Sequence, residues 1–169
     1  ISDKILAFAI PLALTGILQQ LFNAADLAVV GRFASSQAMA AVGSNSSVIN
    51  LIISFFVGLS VGANAVIAME IGGGHKDQIN ETVHTVITVS LVAGCFLIVI
   101  GFFLSKPILI LMAAPEEVLN LAILYLRIYF FAMPALMIYN YGSAILRSKG
   151  DSARPLYAMI LSGIVNIIL

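Results

Sequence analysis

The chain has no tryptophan, one cysteine and little charge. Acidic and basic residues number eight each, so the net charge is zero, and charged residues make up 9% of the 169 against about 25% in a soluble domain. So sparse and balanced a set forms no clustered basic face, and nothing points to a nucleic-acid partner. The single thiol, Cys95, excludes an intramolecular disulfide and any multi-thiolate metal site; its neighbours Val92, Phe96 and Leu97 predict an inert buried side chain. Catalytic signatures are missing as well. There is no HExxH, no Gly-x-Ser-x-Gly and no aspartate-rich diphosphate motif, and Gly142-Ser143-Ala144 has no evident histidine base in the spans. Gly72-Gly73-Gly74-His75-Lys76 lacks the Gly-Lys-Ser/Thr ending of a phosphate loop and reads as a flexible connection. His75 and His84, nine residues apart, have no companion ligands, so no resident metal and no cofactor is expected. The chain is not read as an enzyme.

What it has in abundance is apolar surface: 61% of the residues are hydrophobic, against roughly 45–50% in a soluble domain. Such a chain cannot cover itself with polar groups, and the partner implied is membrane lipid. Apolar stretches of about 20 residues cross roughly 30 Å of hydrocarbon at about 1.5 Å per residue. Five candidates occur, over about 5–33, 48–69, 83–104, 118–145 and 155–169. The first carries Pro11 and Asp26. The second has Gly58 and Gly62 in the small-xxx-small spacing that packs a neighbouring helix. The third is nearly pure hydrocarbon and closes at Lys106-Pro107. The fourth follows Pro115-Glu116-Glu117, a proline and two carboxylates suited to a helix start, and contains Arg127 and Pro134. The fifth starts near Pro155 and is too short to cross. Both ends of the chain read as cuts, the first residues lacking Met and a signal peptide and the last lying inside an apolar run. Residues 34–47, 72–81, 105–117 and 147–153 read as short polar loops. With the N-terminus cytoplasmic, Lys4, Lys76, Arg147, Lys149 and Arg154 collect inside against Arg32 and Lys106 outside, which favours a multi-pass chain with its N-terminus in.

The fold class is therefore all-α, a polytopic transmembrane bundle, and its chemistry should reside in the few polar residues within the spans. Thr15, Gln19, Asn23 and Asp26 follow steps of four, four and three along one face of the first helix. A carboxylate inside a span costs about 2.5–3.5 kcal/mol on insertion scales, so it faces a bundle interior or an aqueous cavity rather than lipid. An interhelical hydrogen bond, or an interfacial position near Arg32, would also accommodate Asp26; its three polar companions favour the cavity. Tyr125 and Asn140, 15 residues apart, fall near one face of the fourth span at opposite depths, and Ser162 and Asn166 are one turn apart in the fifth. Each alone fits an ordinary interhelical hydrogen bond; together they supply the uncharged donors and acceptors a buried carboxylate requires. Arg127 reads as a snorkelling side chain. Pro11 and Pro134 mark bending points in their helices.

Ile10-Pro11 with Asp26-Leu27-Ala28-Val29-Val30-Gly31, the run Ala144-Ile145-Leu146-Arg147-Ser148-Lys149-Gly150-Asp151 followed by Arg154-Pro155, and Asn166-Ile167-Ile168-Leu169 give the chain a resemblance. Over essentially its whole length it resembles the N-terminal part of the multidrug and toxic compound extrusion (MATE) family of secondary transporters. The resemblance implies five helices, the last truncated, of one lobe of a twelve-helix, two-lobe transporter, with the remaining helices as its structural partners. It implies export of small organic, often cationic, compounds across the cell membrane in exchange for H+ or Na+. It makes Asp26 the cation site, with Tyr125, Asn140 and Asn166 around it; it places Gln19, Asn23 and Met159 at the substrate cavity, Pro11 at a hinge, and an acidic residue directly after Leu169. A sodium ion at Asp26 would use the Asn140 and Asn166 carbonyls as further ligands. Two other readings are a flippase for lipid-linked oligosaccharides, which would need several cavity arginines or lysines for diphosphate, and a structural bundle, which would need no polar stripe.

Overall fold

A computed structural model describes residues 2–74 and 76–168, with the side chains of Ser2, Lys4, Lys76 and Asp77 left aside; His75, Lys4 and Lys76, which entered the metal and topology expectations, thus lie outside what is described. The described residues form six α-helices and no strand: α1 (Ser2–Phe33), α2 (Ser36–Gly73), α3 (Lys76–Leu111), α4 (Glu116–Phe131), α5 (Met133–Ser148) and α6 (Ala153–Ile168). Three helices, α1, α2 and α3, are long and apolar enough to cross a membrane, and α4 with α5 passes the same test as one span bent by 45°. At 16 residues α6 is the short one.

Five expected spans therefore become six helices, because the fourth is broken. Pro134 has no N–H for the Phe130 carbonyl, so the ladder stops at Ala132, whose N–H bonds back to Ile128 and Tyr129, and restarts with Pro134 in the first turn of α5. Two glycines of α3 receive this break. A Cβ on Gly94 would lie 2.5 Å from Pro134 Cα, and one on Gly101 would collide with the Phe130 ring. Gly58 and Gly62, the expected packing pair, have no atom within 4 Å of where a Cβ would stand. The close approaches are thus made by α3, the span whose sequence is nearest to plain hydrocarbon. Lys106-Pro107 does not end α3 either. The helix runs on to Leu111 and closes with Ala113 in the left-handed region at φ 53°, its N–H and that of Ala114 returning to Ile110 and Leu109.

The stretch 34–47, expected as a loop, is mostly helix. Ser35 caps α2 by accepting the Ala38 N–H at 3.2 Å, and Ser44, Asn45 and Ser46 donate to the carbonyls of Ala40, Ala41 and Val42 one turn back. Polar side chains that satisfy themselves on their own helix lower the hydropathy without breaking the ladder. Asn45 also donates to the Ala122 carbonyl at 3.0 Å, linking α2 to α4 where both are fully buried. The other turns follow the same economy. Gly74, at φ 74°, closes α2, and most of 72–81, expected as a loop, belongs to the end of α2 and the start of α3. After α5, Gly150 at φ 81° returns its N–H to Arg147 and Asp151 returns its own to Leu146; the Asp151 carboxylate then caps α6 through the N–H groups of Ala153 and Arg154. That explains the order Arg147-Ser148-Lys149-Gly150-Asp151 as helix stop, left-handed turn and helix start.

The core lies among α2, α3, α4 and α5, with Leu109, Ala122, Leu126, Phe130, Met133 and Met137 at its centre. Helix α1 stands apart from it, packed on α6 and touching α2 but neither α4 nor α5. Most large apolar side chains of α1 are exposed, including Leu6, Ile10, Ile17 and Leu21, as lipid contact requires. Cys95 is exposed too, on the outer face of α3, which corrects its reading as a buried thiol.

Candidate functional site

The site is built across the space between the α1/α6 pair and the four-helix core. Helices α1 and α6 run parallel, and two contacts fix their register. The buried Ser152, in the turn before α6, donates to the Phe8 carbonyl at 2.8 Å, and farther along the Phe22 ring lies on Gly163, so closely that a Cβ there would overlap it. One turn beyond Phe22 comes Asp26; one turn beyond Gly163 comes Asn166, and one turn before it Met159. Asp26 and Asn166 therefore share a level although 140 positions of sequence separate them, and Met159 and Asn166 flank the contact with α1.

Asp26 is exposed, as are Gln19 and Asn23 on the same stripe; Thr15 is half-buried because its hydroxyl donates to the Pro11 carbonyl at 2.8 Å. Across the gap, the Tyr125 hydroxyl on α4 lies within Coulombic reach of the Asp26 carboxylate, and Tyr129, one turn on, within reach of Tyr125. Tyr125 is 36% exposed, so it opens onto the same space as Asp26 rather than into the core. Asn140 stands differently. Its amide donates to the Leu136 carbonyl of its own helix at 3.0 Å, and the break at Ala132 places it on α5 instead of on the helix of Tyr125. Tyr125 and Asn140, expected near one face of a single straight helix, thus stand on two helices that meet at a 45° bend. No hydrogen bond or ion pair to Asp26 is formed among the described residues; the ion pair that is formed, Arg154 to Asp151 at 3.1 Å, belongs to the α6 cap. Arg127 points away from this space, its guanidinium 4.6 Å from the centre of the Phe102 ring on α3.

Pro11 interrupts no more than one hydrogen bond, and α1 continues through it. Ser152 holds α1 three residues before Pro11, and Asp26 lies fifteen after it. The proline thus lies between two anchors, Ser152 on the Phe8 carbonyl and the Phe22 ring on Gly163, with Asp26 one turn beyond the second. Tyr139, whose hydroxyl donates to the Pro155 carbonyl at 3.3 Å, ties α5 to the first turn of α6 near the same anchor. Sequence reasoning missed both Ser152 and Tyr139, because each acts on a backbone carbonyl far along the chain and no spacing pattern marks such a partner.

An apolar bundle whose first helix carries an exposed carboxylate on a polar stripe fits a membrane protein with a functional site in its spans, and comparison with known proteins gives its family. The profile of the MatE family matches residues 11–169, and the chain belongs to that family, one of transporters rather than enzymes. It is 35% identical to the probable multidrug resistance protein YoeA of Bacillus subtilis over 96% of this chain and 35% of that protein. Among solved structures, it superposes on a MATE protein in complex with MaD3S with TM-score 0.90 at 30% identity, covering 98% of this chain and 37% of the other. A MATE structure in the bent conformation gives 0.89 at 30% identity over 99% of this chain and 37% of its own. The chain spans about a third of the length of the curated relatives it matches. It is a multi-pass membrane chain of the MATE fold.

Proposed function

We propose that this chain is part of the N-terminal lobe of a secondary antiporter that exports small organic, often cationic, compounds across the cell membrane in exchange for H+ or Na+. The observation that carries the reading is an exposed carboxylate, Asp26, on the polar stripe of an apolar helix, level with Asn166 on α6. Asp26 is the group that takes up the coupling ion. Tyr125 acts with it from α4, Asn166 supplies an amide on the α6 side, and Asn140 joins them when its side chain leaves the Leu136 carbonyl. Gln19, Asn23 and Met159 line the passage to the same space. The N-terminus is cytoplasmic, and the rest of the transporter supplies the facing lobe.

A carboxylate that alternates between ion-bound and free states does transport work only if each state favours a different shape of the helix that carries it. Pro11 provides the place for that difference: Ser152 holds the segment before it, and any movement of the segment after it, which carries Asp26, also shifts the Phe22 ring on Gly163. A relative crystallised in a bent conformation is in keeping with such a movement. The flippase reading loses ground because Arg127, the basic residue expected inside a span, lies over the Phe102 ring of α3.

The test is transport by the full-length protein in sealed vesicles under an imposed gradient of either ion. Exchange of one ion per substrate under a tenfold gradient supports up to about tenfold accumulation, since a factor of ten corresponds to about 1.4 kcal/mol. Accumulation that follows one of the two gradients is expected; none with either would overturn the antiport reading.

A further inference from the structure

We propose that Arg127 and Lys106 form a binding site for the phosphate of an anionic phospholipid on the outer face of the α3–α4 hairpin. The site lies on the opposite side of α4 from Tyr125 and does not depend on the transport reading. Arg127 is unusual in three respects. Its guanidinium lies over the Phe102 ring at 4.6 Å, its Nε is buried with no hydrogen-bond partner, and no carboxylate pairs with it among the described residues. An arginine held over an aromatic ring, with no carboxylate partner, retains a planar fork of donors of the kind that grips two phosphate oxygens at once.

Lys106 supplies the second charge. It is exposed and lies one turn beyond Phe102 on the same face of α3, so it and Arg127 flank the ring. The acidic residues nearest the hairpin turn are Glu116 and Glu117 in the first turn of α4. Glu116 shares the Arg127 face of α4 but stands about three turns away, and neither carboxylate forms an ion pair with Lys106 or Arg127.

Depth brings a lipid phosphate to this level. With its 36 residues centred on a hydrocarbon layer of about 30 Å, α3 extends beyond that layer by about 12 Å at each end. Measured from the hairpin turn, Lys106 lies at about 7 Å, Phe102 at about 13 Å and Arg127 at about 16 Å. The two cations therefore bracket the boundary where phosphates sit, one just outside and one reaching up from just inside, and Phe102 marks the edge between them. The rest of this face is apolar and exposed, with Cys95, Val99 and Phe103 on α3 and Leu124, Ile128 and Phe131 on α4, so the surface around the phosphate is one acyl chains can cover.

The experiment measures association of spin-labelled phosphatidylglycerol and phosphatidylcholine with the full-length protein in vesicles. The expected result is a preference for phosphatidylglycerol that falls about fivefold in Arg127→Gln and in Lys106→Gln, the factor that corresponds to about 1 kcal/mol per Lys or Arg near an anionic surface. Arg127→Lys, which keeps the charge but not the planar fork, should retain only part of the preference. Arg32→Gln, a cation elsewhere on the chain, should retain all of it. Inorganic phosphate added at millimolar concentration should not displace the lipid; displacement would assign the site to the free anion and overturn the lipid claim. Equal association of the two lipids, or an unchanged preference in Lys106→Gln, overturns the proposal. Because Lys106 is exposed, that variant decides the matter even if Arg127→Gln fails to fold.

Discussion

Replacing Asp26 with Asn in the full-length protein should abolish ion-driven accumulation of substrate while leaving the protein folded and inserted. Asn is nearly isosteric, and Asp26 is exposed to the gap and makes no hydrogen bond or ion pair among the described residues, so its loss removes no packing. What it removes is the only carboxylate that can exchange a coupling ion on the polar stripe of α1. Under a tenfold ion gradient the accumulation ratio should fall from as much as about tenfold to near unity. Passive substrate binding should change far less, since Gln19, Asn23 and Met159 remain. Parallel measurements of binding and of gradient-driven uptake separate the two. An Asp26→Asn protein that still concentrates substrate would assign coupling elsewhere.

The second large effect concerns the bend. Gly94→Ala should destabilise the bundle by about 1–3 kcal/mol or more, because the new methyl would press on the backbone of Pro134, which cannot rotate aside as a side chain can. Gly58→Ala, a methyl added to a neighbouring helix with nothing within 4 Å, should be stabilising by about 0.5–1 kcal/mol from helix propensity alone. The same chemical change should therefore shift the melting temperature in opposite directions at the two positions, which thermal unfolding in detergent would measure. A Gly94→Ala protein that melts with or above the parent would show that α3 does not seat the break between α4 and α5.

How much of this was legible in the sequence depended on whether the signal was local. The span over 5–33, its polar stripe and the bending role of Pro134 are properties of neighbouring residues, and they were readable. The start of α2 was not, because Ser44, Asn45 and Ser46 look like loop residues until each is seen bonding one turn back. Pro107 was misread as a stop; Ser105, donating to the Gly101 carbonyl, and the apolar run to Leu111 keep α3 helical through it. Gly58 and Gly62 matched a packing motif but face open space, while Gly94 and Gly101, seven apart on the same helix face, take up the break. The level shared by Asp26 and Asn166 comes from the fit of Phe22 on Gly163, a contact between distant parts of the chain that no periodicity records. The residues of the candidate site could thus be named from resemblance, but their arrangement came only from helix register.

The claim on which the account turns is that position 26 opens onto water in the middle of an apolar bundle. Cys95, exposed on α3 among the exposed apolar side chains of Val92 and Phe96, provides a reference within the same chain. Asp26→Cys in a Cys95→Ser background of the full-length protein, treated in vesicles with a charged, membrane-impermeant thiosulfonate, should react at least about tenfold faster than the native Cys95, because only ionised thiol in contact with water attacks the reagent. A rate at position 26 no faster than at Cys95 would place that side chain in lipid and contradict the account.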